Sequence, residues 1–117
     1  MKVLVVDDNE TNRMLVSTLL DEAGIEWVEA ASGSAALDTL GRESIDVMLL
    51  DISMPGMSGA EVCRKIRTSA VLPQPRIVAF TAHVMPQQLI TIMAAGFDGI
   101  LSKPFSRDQL LNCLAAG

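Results

Sequence analysis

A chain of 117 residues, half of them hydrophobic, can bury a substantial core without disulfide or metal staples. Its formal net charge of −5 argues against a nucleic-acid partner, which needs a basic face; the local concentration of cations at Arg64, Lys65 and Arg67 reads as a solvated helix face. No apolar run reaches the roughly 18 residues that a membrane span needs, and the N-terminus is too short in apolar residues for a signal peptide, so a cytoplasmic location without direct membrane contact is expected.

The first predicted strand, residues 3–6 (VLVV), is continuously apolar and is cut off by Asp7 and Asp8. A helix follows, with Val16, Leu19, Leu20 and Ala23 at i, i+3, i+4, i+7 and Gly24 as its stop. The second strand, 26–30, leads to a stripe of Ala36, Leu37 and Leu40. The third, 46–50, delivers Asp51 and the turn PGMSG, then a helix with Val62, Cys63 and Ile66 inward. The fourth, 76–80, leads to Thr81 and a helix after Pro86 that ends at Gly96. Its core face is expected to be Leu89, Ile92 and Met93, with Ile90 pointing partly outward. The fifth, 98–101, leads to Lys103 and a last helix on Leu110, Leu111 and Leu114. Cys63 and Cys113 form no CxxC pair and read as two buried thiols of a reducing compartment. The methionines at 48, 54, 57 and 93 read as packing, not as a metal box.

Strand and helix alternate five times without a repeat or a linker, which implies right-handed βαβ crossovers and a parallel sheet covered on both faces. The expected fold is α/β, a flavodoxin-like (βα)5 doubly wound sheet of order 2-1-3-4-5, forming one domain over residues 1–117. Such a sheet places its site at the carboxyl ends of the strands, between the first and the third.

That geometry brings Asp7 and Asp8 opposite Asp51. Three like charges in one small pocket are unfavourable unless a cation compensates them, and an open all-oxygen site suits Mg²⁺, with Mn²⁺ as a substitute. Thr81 and Lys103 arrive at the same edge. Singly, each has an ordinary explanation: a helix cap for Asp7 or Asp8, a turn former in Asp51, a strand-end cap in Thr81, a solvated charge in Lys103. Jointly they point to phosphoryl transfer. Asp51 is the natural nucleophile, the cation and Lys103 meet two phosphoryl oxygens, and Thr81 with backbone N–H groups such as that of Ala82 meets the third.

From VLVVDDN through LLDISMPGMSG and IVAFTAH to GILSKPF, the chain resembles a response-regulator receiver domain over essentially its whole length. The resemblance implies a phosphoryl group taken from a histidine onto Asp51. It implies Mg²⁺ bound directly by Asp8, Asp51 and the backbone carbonyl of Ser53, with Asp7 acting through a metal-bound water. It further implies Lys103 paired with the phosphoryl group, a cis bond to Pro104, a switch through Thr81, and hydrolysis tuned at Ser53 and His83. Ile100 departs from the pattern, because the family usually carries Tyr or Phe there, and the chain has no Tyr. DDNETNR and FTAHVMP are similar to receivers fused behind hybrid sensor histidine kinases, so the expected partners are a histidine kinase or a histidine-phosphotransfer domain. The chain is expected to carry no output of its own, as an excised module or a stand-alone receiver.

Two docking surfaces suggest themselves: the start of the first helix around Asn12 and Leu15, and the uncharged fourth helix, whose face suits a partner or a homodimer. Three rivals stand beside the receiver reading. A haloacid-dehalogenase-type phosphatase would want an acid where Ser53 stands. A flavin carrier would want a phosphate loop where DDNETN stands. A degenerate, binding-only receiver is left open by Ile100.

Overall fold

The computed structural model describes residues 1–82 and 86–115. Five strands and five helices alternate: β1 (Lys2–Val6), α1 (Glu10–Glu22), β2 (Glu26–Ala30), α2 (Gly33–Arg42), β3 (Val47–Asp51), α3 (Gly59–Thr68), β4 (Arg76–Thr81), α4 (Pro86–Ala95), β5 (Gly99–Ser102) and α5 (Arg107–Ala115). The strands form one parallel sheet in the order β2-β1-β3-β4-β5, as the alternation predicts. Among the described residues no helix is long and apolar enough to cross a membrane.

Side chains alternate across a strand, so each central strand feeds two cores. Leu4, Val6, Met48, Leu50, Ile77 and Ala79 face α2, α3 and α4, where Ala36, Leu40, Val62, Ile66, Ile92 and Ala95 close the layer. Val3, Val5, Leu49, Val78 and Phe80 face the other way, against Val16 and Leu20 of α1 and Leu110 and Leu114 of α5. Burial on both faces explains the unbroken apolar runs 3–6 of β1 and 47–50 of β3.

Local signals set the helix starts. Asn9, Ser32 and Ser58 cap α1, α2 and α3, each side chain accepting a backbone N–H three residues on. Gly24 and Gly96 follow α1 and α4 with φ of 71° and 101°, the left-handed conformation that glycine adopts without strain.

Three expectations need correction. The third, fourth and fifth strands each end one residue later than expected, so Asp51, Thr81 and Ser102 are themselves strand residues. Leu89 and Met93 are not core: they are 41% and 60% exposed, and α4 is held through Ile92 and Ala95. In an uncharged helix, apolar spacing alone does not say which stripe faces inward, and here the buried stripe lies next to the one expected. Of the two thiols, Cys63 is buried but Cys113 only half so; burial pushes both up to about 11, leaving them protonated at neutral pH.

Candidate functional site

The site lies where β1, β3, β4 and β5 end. Beyond Val6, the Asp7 N–H still donates to the Ala30 carbonyl at 3.2 Å, continuing the line of the sheet for one more residue. Asp7 is completely buried. One carboxylate oxygen accepts the Asn9 N–H at 2.9 Å, and the other lies 3.4 Å from the Lys103 ammonium. Asp8 is exposed. Asp51, the last residue of β3, is nearly buried and accepts the Ser53 N–H at 3.1 Å. Oxygens from Asp7, Asp8 and Asp51 lie within 4.8 Å of one another. That all-oxygen donor set, open to solvent at Asp8, fits a hard divalent cation.

Burial pushes the Asp51 carboxyl above the usual aspartate range. The Ser53 N–H opposes that shift, the neighbouring Asp7 carboxylate adds to it, and Lys103 draws it back. Lys103 is itself guided: its ammonium sits 4.3 Å from the centre of the Phe80 ring, and Phe80 packs edge-on to Phe105 with ring centres 5.2 Å apart. The Lys103 N–H donates to the Thr81 carbonyl at 2.7 Å, tying the ends of β4 and β5 together, and the Lys103–Pro104 peptide is cis. Thr81 is buried at the end of β4, and Ala82 is exposed beside it. Ile100 pairs with Ala79 and packs on the α2–α4 side. His83 lies outside the described residues.

The structure therefore gathers Asp7, Asp8, Asp51, Thr81 and Lys103 at one edge, with Ser53 bonded into it. It adds parts not anticipated from sequence. Arg13 donates to the Asp7 carbonyl at 2.7 Å, and the Phe80 ring flanks Lys103. Gly59 is a third: a Cβ there would overlap the Asp51 carbonyl and come within 2.7 Å of the Ile52 Cα, so only glycine lets α3 start this close to the end of β3. The GMSG turn carried that last signal. A cleft of about 460 Å³ opens beside Lys103, walled by Asn12, Leu15, Phe80 and Phe105.

Residues 3–115 match the family model described as response regulator receiver domain. The chain belongs to that family. This receiver is 40% identical over 115 residues to the sensor protein GacS of Pseudomonas syringae pv. syringae, and 37% identical over 116 residues to the CAI-1 autoinducer sensor kinase/phosphatase CqsS of Vibrio cholerae. The matches take in 93% and 98% of the receiver but only 12% and 17% of those two proteins. Among solved structures, the chemotaxis protein CheY4 of Vibrio cholerae superposes with a TM-score of 0.90 at 35% identity, over 97% of this receiver and 94% of that chain. The receiver domain of a sensor histidine kinase from Pseudomonas aeruginosa, with a magnesium ion coordinated in its active-site cleft, superposes with a TM-score of 0.88 at 28% identity, over 97% and 93%. The receiver is thus a two-component signalling domain whose relatives include sensor kinases that carry such a module.

Proposed function

We propose that residues 1–117 form one receiver domain that accepts a phosphoryl group from a phosphohistidine onto Asp51. The observation that carries this reading is the convergence of three carboxylates within 4.8 Å, with Lys103 3.4 Å from one of them. Asp8 and Asp51, with the Ser53 carbonyl, would hold Mg²⁺ directly and Asp7 would hold it through water, and Mn²⁺ would substitute. When bound, the cation offsets the three acids and the charge of the incoming phosphoryl group. An Asp51 oxygen forms the new O–P bond while the P–N bond to the donor imidazole breaks, and its electron pair stays on that ring. Lys103 turns from Asp7 to a phosphoryl oxygen, and the Thr81 hydroxyl with the Ala82 N–H meets another. Ser53, beside the acceptor, and His83 set how fast water reaches the acyl phosphate. The domain acts as a signalling switch that assists its own phosphorylation, not as an enzyme on an outside substrate.

The phosphoryl donor is a histidine kinase or a histidine-phosphotransfer domain, and the cleft at Asn12 and Leu15 beside Lys103 is where it docks. Two free, largely protonated thiols suit a cytoplasmic location. Leu89, Ile90 and Met93, exposed together on α4, supply a face for a second copy, to be checked by sedimentation of the phosphorylated and unphosphorylated forms. The donor reading is tested with a radiolabelled phosphohistidine domain: label should move to the wild-type chain and not to Asp51→Asn. Label that stays on the donor would contradict it.

A further inference from the structure

The carboxylates of the site are held unequally. Asp7 is fixed at its N–H by Ala30, at one oxygen by Asn9 and at the other by Lys103. Asp8 is exposed, and among the described residues its carboxylate has no hydrogen-bond or ion-pair partner. The position of Asp8 is therefore set by its backbone. That backbone begins with the rigid peptide plane joining the Asp7 carbonyl to the Asp8 N–H. The Asp7 carbonyl accepts a charged hydrogen bond of 2.7 Å from Nη1 of Arg13, a residue one turn into α1.

Arg13 is placed at some cost. Its side chain is 14% exposed, and its Nε lies 3.6 Å from the Glu29 carboxylate on β2, an ion pair too long for a hydrogen bond. Among the described residues it is the only buried side-chain nitrogen or oxygen without a hydrogen-bond partner. A guanidinium held with one donor unsatisfied is unfavourable in itself, which points away from simple packing and towards the bond it does make. Resting on the reading of Asp7, Asp8 and Asp51 as a Mg²⁺ site, we propose that Arg13 is a positioning residue. By clamping the Asp7–Asp8 peptide plane it aims the free-standing Asp8 carboxylate at Asp51, and Glu29 steadies the clamp from β2.

The test titrates ¹⁵N-labelled chain with MgCl₂ and follows the Asp8 and Ser53 amides in wild type, Arg13→Gln, Arg13→Lys and Asp8→Asn. Arg13→Gln should displace the Asp8 amide before any metal is added and weaken Mg²⁺ binding about tenfold. Arg13→Lys keeps a cationic donor and should bring both back towards wild type, which a mere loss of packing would not. Wild-type Mg²⁺ affinity in Arg13→Gln would overturn the clamp and leave the metal site standing. Failure of the wild type to saturate, or saturation by Asp8→Asn as by wild type, would overturn the metal site and the clamp with it. Should Arg13→Gln not fold, Glu29→Gln decides: a displaced Asp8 amide with weaker Mg²⁺ binding supports the clamp, and an unchanged amide and affinity overturn it.

Discussion

At the residue scale, the conflict in this site centres on Asp51, whose carboxyl is raised by burial and by Asp7. A carboxyl whose folded value lies above its unfolded value of 3.8 stabilises the fold while protonated, and that stability is lost as pH rises through the raised folded value. In metal-free buffer, Asp51→Asn should therefore melt higher than wild type at pH 7. The gap should close as pH falls through the raised value towards 3.8, and added Mg²⁺ should narrow it at pH 7 by stabilising only the ionised wild type. Thermal melts at several pH values check this. Lys103 faces Asp7 and lowers Asp51, so Lys103→Met should push the Asp51 carboxyl higher still. It should slow phosphorylation by about a hundredfold or more while leaving the metal ligands in place, measured as the initial rate of phosphoryl uptake.

Among the elements, α4 is the one whose sequence does not mark its inward face. Val16 and Leu20, Ala36 and Leu40, and Val62 and Ile66 are legible because exposed charges mark the far side of their helices: Asp21 and Glu22 on α1, Asp38 and Arg42 on α2, Arg64 and Lys65 on α3. On α4 no charge marks the solvent side, so Leu89 and Met93 took the place that belongs with Ala95 beside Ile92. Urea unfolding separates the two assignments. Ile92→Ala should cost about 2–4 kcal/mol through a cavity, and Met93→Ala no more than about 0.5 kcal/mol. The start of α3 makes a complementary case: Gly59→Ala places a methyl against the backbone of Asp51 and Ile52, neither of which can rotate away. That change should cost about 1–3 kcal/mol in the same assay and disturb the acceptor loop.

Across the whole molecule, continuous apolar runs and the alternation of strand and helix made the sheet order readable, and the sheet order made the site readable. Asp7, Asp8, Asp51, Thr81 and Lys103 each follow or end a strand whose place was already known. What stayed hidden are contacts that close only in three dimensions. Arg67 at the end of α3 bonds the Gly96 carbonyl at 2.9 Å, the Pro75 carbonyl at 3.1 Å and the Asp98 carboxylate at 2.6 Å. Beside Arg64 and Lys65 it reads in sequence as one cation of a solvated face, whereas in the fold it ties α3 to the end of α4 and the start of β5. Arg67→Met should destabilise the chain by about 2 kcal/mol in urea, since the charged hydrogen bonds go while Asp98 keeps the Ile77 N–H.

Intact mass after incubation with acetyl phosphate and Mg²⁺ tests the central claim most directly, read beside Asp51→Asn and a chelated sample. The wild type should gain one phosphoryl group, absent in both controls and lost on mild base treatment. A gain that persists in Asp51→Asn, or no gain from either acetyl phosphate or a phosphohistidine domain, would contradict it.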